Sequence, residues 1–444
     1  MNRIKHFLLV PASASTLAYF RMGLGMLILI STLRFILLGW IDMQYIQPKF
    51  HFPYFGLEFF SAPSTPLIYA TFALLIISSI GVILGYRFRV MSLLMFLSFT
   101  YIEVWDISFY LNHYYAVSLF TLILCILPAH MTASLDVQSG RVKEASEVPY
   151  WTHLIVFFQI GIIYVYAGIA KVNADWLFSA LPLKIWLPAH ASLPVIGPLL
   201  ALDFTAYVFS WFGMLYDLII IAFLINTRTR YYAFVTVVIF HSITGLLFQI
   251  GVFPIVMIFM ATLFFDASIH QNIIQRFFST GIKQSEKFIV SLPKYGIALL
   301  GIYVTFQLLF PLRYALYPGN HQWTEQGYRF GWRVMLTEKS GNAQFVITDR
   351  KSGKMGYVNN TEWLSAHQEK QMSFQPDMIL AFAHFLHDEY QKQGIYDPIV
   401  TVDCWVTMNG RPSARLIDPK VDLSRINDDF SHKTWIASYP GAIQ

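Results

Sequence analysis

The 444 residues are 56% hydrophobic and only 13% charged, with a mean hydropathy of +0.50. A soluble globular domain carries about 25% charge, so most of this chain does not belong in water. The net charge of +5 is small for the length and forms no concentrated basic patch, which argues against a nucleic-acid partner.

Met1 to Ala18 resembles a signal peptide only superficially. Arg3 and Lys5 precede Phe7-Leu8-Leu9-Val10, but the apolar run is short and Pro11 interrupts it, so the segment reads as a cytoplasmic lead-in. A membrane span needs about 20 mostly apolar residues. Runs of that kind lie near 17–40, 65–85, 89–105, 114–130, 153–171, 205–226, 230–248, 251–266 and 292–312, giving about nine transmembrane helices. The 173–204 stretch holds Pro182, Pro188, Pro194 and Pro198 and is expected to be interfacial or re-entrant, not a regular span. Basic residues cluster at Arg3/Lys5, Arg87/Arg89, Arg141/Lys143, Arg228/Arg230 and Arg276/Lys283/Lys287. With the N-terminus inside, all of them fall on the cytoplasmic side, and the intervening loops hold only Lys49 and Lys184. An odd number of spans then places the C-terminal part outside.

After Leu312 the charge becomes ordinary. Phe330–Leu336, Gln344–Thr348 and Lys354–Val358 alternate like strands, and Asp377–Gln393 reads as an amphipathic helix ended by Gly394. Asn409-Gly410 between Ile399–Met408 and Ser413–Ile417 signals a hairpin. The expected fold is a polytopic α-helical membrane domain over 1–313 and a mixed α+β domain over 314–444 on the extracytoplasmic side. Cys125 lies in an apolar span and Cys404 in a strand, which argues against a disulfide between them, and no Cys/His spacing suggests a metal.

Lys171 stands at the end of the fifth span. A Lys in the bilayer centre costs roughly 3 kcal/mol, which makes it a functional candidate, although a Lys at a helix end also snorkels to headgroups. Desolvation penalises the charged form, and a neutral amine is a base. Asn112 and His113 open the fourth span at the same side, after Tyr110, and His241 lies within the seventh. Taken alone, His113 also reads as an interfacial anchor and His241 as an interhelical hydrogen-bonding group. Asp217, buried in the sixth span, is expected to pair structurally with a neighbour. Jointly, one amine and two imidazoles at similar depth under an outer domain make a site between lipid and water.

The stretch Ala167-Gly168-Ile169-Ala170-Lys171-Val172-Asn173-Ala174-Asp175-Trp176 resembles the catalytic-lysine segment of vitamin K-dependent gamma-glutamyl carboxylases, which have an HTTM-type membrane domain. The likeness continues through Asn112-His113, Phe240–Pro254, Trp323-Thr324 with Tyr328 and Trp332, Thr348-Asp349-Arg350-Lys351-Ser352-Gly353 with Gly356-Tyr357, and Leu416-Ile417-Asp418-Pro419-Lys420-Val421-Asp422. The resemblance spans most of 60–436. It implies oxidation of vitamin K hydroquinone, or menaquinol, by O₂ to the epoxide, coupled to removal of a γ proton from peptide glutamate and addition of CO₂, without a metal. It implies Lys171 as the base toward the hydroquinone and His113 as the group stabilising the reacting oxygen. Asn112, Tyr110 and His241 would border the cofactor. Trp323, Tyr328 and Trp332 would border the peptide, with Lys184 nearby. Leu187 stands where the family has an arginine, and Thr337 where an imidazole is expected, which bears on peptide binding. The disulfide of animal members has no counterpart in these two cysteines.

The implied partners are a Glu-containing peptide or protein and the lipid bilayer. The expected setting is a bacterial inner membrane with the outer domain in the periplasm, or the endoplasmic reticulum with a lumenal domain in a eukaryote. Three other readings remain open at this point: a hydroquinone epoxidase without carboxylation, a proton or ion transporter using Lys171, His113, His241 and Asp217, and a non-catalytic membrane anchor that presents the outer domain to a partner.

Overall fold

The computed structural model describes residues 6–248, 250–278, 286–287 and 294–441. Arg3, Lys5, Lys283 and Gln249 lie outside the described residues, as do the first two residues of the expected 292–312 span.

Every expected apolar segment forms a helix: Ala14–Leu37, Thr65–Leu84, Phe88–Glu103, Asn112–Ile126, Trp151–Ala170, Asp203–Ile225, Arg230–Phe248, Phe253–Thr262 and Lys294–Leu309. Fewer of them meet the length of a bilayer. Among the described residues, 6 helices are long and apolar enough to cross a membrane, or up to 7 if a bent pair is one span. Phe88–Glu103 has 16 residues and Asn112–Ile126 has 15. At about 1.5 Å per residue both fall short of the ~30 Å hydrocarbon core. Phe253–Thr262 breaks after 10 residues and turns by 110° into Ala267–Gln275. The proline-rich 173–204 stretch folds as short helical pieces such as Ala174–Ser179 and Leu183–Trp186, with no span among them.

The C-terminal part is α+β. Lys339–Thr348 pairs antiparallel with Ile399–Met408 along its whole length, with Met355–Tyr357 and Ala414–Arg415 at the two edges. Pro376–Lys392 lays Phe382 and Leu386 into the sheet's core beside Phe345 and Val402. Asn409 and Gly410 take φ of 53° and 72°, the paired left-handed conformation that an Asn-Gly hairpin turn requires. The core also takes Phe52, Tyr54 and Ile107 from loops of the membrane domain. Gln368 binds across the same junction, donating to the Phe50 carbonyl at 2.8 Å and to Asp106 at 2.7 Å.

The strand expected over Phe330–Leu336 does not form. Phe330, Trp332 and Met335 have φ of 58°, 55° and 55°. Such backbone costs of order 1–3 kcal/mol per non-glycine residue and persists only where its surroundings dictate it. Here the segment serves a different purpose. Trp332 enters the membrane-domain core and stacks on Tyr115 at 4.9 Å, while Arg333, Val334 and Met335 reach the cavities between the two domains.

Candidate active site

Lys171 caps the C-terminus of the 151–170 helix, and the next residues hold it there. Asn173 N-caps Ala174–Ser179, accepting from the Trp176 amide at 3.0 Å. The Trp176 indole donates to the Ser210 carbonyl at 2.7 Å and lies 5.4 Å from Lys171 Nζ. The chain therefore turns back immediately, and the amine is folded under an aromatic lid instead of reaching the headgroups. Lys171 is 7% exposed.

Its partner is Asp217, expected to pair with some structural neighbour. Lys171 Nζ donates to Asp217 Oδ2 at 2.7 Å and to the Ala167 carbonyl at 3.2 Å. A glycine permits the approach: a Cβ at Gly168 would meet the Leu218 amide nitrogen at 3.0 Å and its side chain at 2.8 Å. The two side chains are 8% and 7% exposed, so the pair is dry. It is compatible with ammonium and carboxylate, or with amine and carboxylic acid. The two forms differ by one proton moved across the 2.7 Å contact.

Around the pair is a cavity of about 90 Å³, lined mainly by apolar and aromatic side chains. Tyr164 and His241 also face it. Tyr164 Oη and His241 Nε2 are hydrogen-bonded at 2.9 Å, and His241 Nδ1 is buried with no hydrogen-bond partner among the described residues. Sequence reading missed Tyr164. The available signal was its spacing from Lys171, seven residues or about two helical turns, which puts both on one face.

His113 lies in a neighbouring cavity of about 690 Å³. Ile250, Phe253, Val334 and Met335 wall both cavities. Phe253 is the common contact of the two imidazoles, with ring centroids 5.7 Å from His113 and 5.9 Å from His241. Asn112 and Tyr110 border the larger cavity, but their polar ends hold the strained loop. Tyr110 Oη donates to Asn112 Oδ1 at 3.0 Å and accepts from the Phe330 amide at 2.7 Å. Asn112 Nδ2 donates to the Arg333 carbonyl at 3.2 Å.

A third cavity, of about 340 Å³, adjoins this one through Ser108, Tyr110, Leu111, Asn112 and Gln371. Tyr328 and Thr337 line it. The other residues expected at the peptide site are elsewhere. Trp323, 1% exposed, is core of the C-terminal domain and donates to the Ala437 carbonyl at 2.8 Å. Trp332 is packed against Tyr115. Lys184 pairs with Asp203 at 2.9 Å and sits over the Tyr207 ring, outside the lining of all three cavities, because its short helix turns Leu183 and Trp186 inward.

The hairpin of the C-terminal domain clamps the segment that follows Lys171. Arg411 grips Asp175 with both terminal nitrogens, at 2.8 and 2.5 Å, and Asn409 adds a contact at 2.7 Å. Burial works to raise the Asp175 carboxyl, but the Arg411 and Asn409 hydrogen bonds outweigh it and hold it below its ordinary value. A depressed carboxyl contributes stability above the unfolded range, near pH 4, and loses it as pH falls through the folded value. Arg411→Ala should lower stability at pH 7 by roughly 1 kcal/mol, the range of a partly exposed pair. Melting curves should show the gap between wild type and variant closing as pH drops below about 4. A gap that persists unchanged in acid would remove the ion pair as its cause.

These features define a class: a helical membrane protein with a buried lysine–aspartate pair beneath an α+β domain. Residues 10–268 match the HTTM domain model, and residues 292–441 match the model described as the vitamin K-dependent gamma-carboxylase, lumenal domain. The chain belongs to the vitamin K-dependent gamma-carboxylase family. No solved structure matches it.

Proposed function

We propose that this protein oxidises a reduced vitamin K or menaquinol with O₂ and uses that oxidation to carboxylate the γ carbon of peptide glutamate. The observation that carries the reading is the dry Lys171–Asp217 pair, in a cavity walled partly by Val334 and Met335 of the C-terminal domain. The division of the chain at 313/314, the crossing of the membrane by all nine apolar helices and the extracytoplasmic side of the C-terminal domain belong to the same proposal. The loop charge asymmetry supports that orientation. Bending of the bilayer or burial against neighbouring helices would accommodate the shorter helices.

The larger cavity falls within the 300–1,000 Å³ range of small-ligand sites, and the cavity at Lys171 falls below it. The residues therefore fit a hydroquinone that would be held mainly on the His113 side by Phe253, Val334 and Met335, within reach of Lys171. Buried His241 Nδ1, which has no hydrogen-bond partner among the described residues, supports a polar ligand atom nearby. When bound and oxidised, the quinol supplies a base strong enough for a carbon acid, which no side chain near neutral pKa can be. The chain's own groups have smaller tasks. The Lys171–Asp217 pair receives the hydroxyl proton, and His113 stabilises charge at the reacting oxygen. Trp176, Phe253 and Met335 keep water from the site. Tyr328 borders the peptide's route.

Two observations favour a narrower activity. Thr337 lines the outer cavity at the position where the resemblance leads to an imidazole being expected, and Lys184 is engaged by Asp203. An enzyme that forms epoxide without carboxylating glutamate would be consistent with both.

Purified protein given the quinol, labelled bicarbonate and a Glu-rich peptide should yield epoxide and labelled peptide together. Epoxide alone would leave the oxidase reading, and neither product would overturn both. His113→Ala should slow turnover roughly 10²–10³-fold with little change in quinol affinity. Unaltered kinetics would remove His113 from the chemistry.

A further inference from the structure

The three adjoining cavities differ in charge. At Lys171 the cation has a carboxylate partner. In the outer cavity Lys339 pairs with Glu325 at 2.7 Å and Arg329 pairs with Asp377, leaving Lys370 exposed at the rim. The charged and imidazole side chains lining the middle cavity are Arg34, Arg333, His113 and His367, with no aspartate or glutamate among the described residues. Arg333 is held by its contact with His321 Nε2 at 2.7 Å and lies over the Tyr314 ring at 3.8 Å. Arg34 is less satisfied. Among the described residues no carboxylate pairs with it, its guanidinium lies 4.9 Å from the Trp40 ring, and its Nε is buried without a hydrogen-bond partner. A guanidinium near the end of the 14–37 helix, facing a 690 Å³ cavity with no internal counter-ion, is costly to keep and suited to a planar anion.

The geometry points to Arg34 as the residue that receives the substrate's side-chain carboxylate in the middle cavity, beside His113. The inference rests on the proposed carboxylase reading, which it makes specific: the outer cavity admits the peptide, the middle one fixes the acid, and the Lys171 pair lies across the Phe253–Met335 wall. A carboxylate anchored by a rigid fork holds the adjacent methylene at a fixed place. A phosphate headgroup of an anionic lipid is the competing occupant.

The test is equilibrium binding, read without turnover. Protein in phosphatidylcholine nanodiscs is titrated with a short labelled peptide containing glutamate and with its glutamine counterpart. Wild type should prefer the glutamate peptide by roughly 10–100-fold, the span of a charge-assisted hydrogen bond. Arg34→Gln should erase that preference while leaving the glutamine peptide's affinity as it was. Arg34→Lys keeps the charge without the fork and should retain part of the preference, which keeps the test open if the Gln variant does not fold. A full preference in Arg34→Gln, or none in wild type, overturns the inference. So does phosphatidylglycerol that displaces the glutamate peptide from wild type, because the site would then be a lipid's. Epoxide and labelled product are measured on the same wild-type sample. Binding that depends on Arg34 without either product would reject the carboxylase reading and keep the carboxylate site.

Discussion

Lys171→Ala is expected to remove both epoxide and fixed CO₂, a fall of roughly 10²–10⁴-fold toward background if its loss deletes a positioned proton acceptor. The substitution is not silent for the fold. The amine does not stand alone: it faces Asp217 at 2.7 Å, and both side chains are dry. Removing one partner of a buried pair costs about 3–5 kcal/mol when the other stays charged. A stranded carboxyl instead takes a proton and recovers part of that cost. Activity must therefore be measured well below the variant's melting temperature. Undiminished epoxide formation would end the role of Lys171 as part of the base.

Asp217→Ala should destabilise by a similar amount, since it strands a cation among Trp176, Phe209 and Phe240. The double variant Lys171→Ala/Asp217→Ala leaves no charge behind and should regain much of the loss. A double-mutant cycle on melting free energies should give a coupling of roughly 1–3 kcal/mol. Strict additivity would show that the contact does not act as a unit. Asp217→Asn keeps the shape and separates the two proton arrangements. If the resting pair is amine and acid, Lys171 remains the acceptor, and turnover falls less than in Lys171→Ala. If it is ammonium and carboxylate, Asp217 is the acceptor, and turnover falls as far.

Much of this was legible in the chain. The apolar runs found their helices because a 20-residue hydrophobic stretch has few other ways to satisfy its backbone in lipid. The short run at 89–105 became the 16 residues of Phe88–Glu103, but the break inside 251–266 was not disclosed: Phe253–Thr262 stops after 10 residues, and apolar composition does not mark that stop. Ile399–Met408 and its Asn-Gly turn were readable to the residue, since alternation and turn chemistry agree there. Phe330–Leu336 alternates as well and is not a strand. Trp332 enters a membrane-domain core while the consecutive Arg333, Val334 and Met335 line the cavities, a division that a period of two does not describe.

At the site, residue type predicted burial but not partners. Lys171 stood out because a cation in an apolar run is expensive. That its counter-ion is Asp217, 46 residues on, follows from the close contact at Gly168 and has no local signature. Lys184 and Trp323 carry the right chemistry near the right motifs, yet one is spent on Asp203 and the other on a domain core. Arg34 escaped notice because an arginine at a helix end reads as a headgroup anchor until the cavity in front of it is visible.

The most direct measurement is epoxide formation by the Lys171→Ala/Asp217→Ala double variant in nanodiscs, on protein whose melting curve stays near that of wild type. The account predicts a folded protein that still binds the quinol and makes no epoxide. Epoxide at the wild-type rate from that folded variant would place the proton acceptor somewhere else.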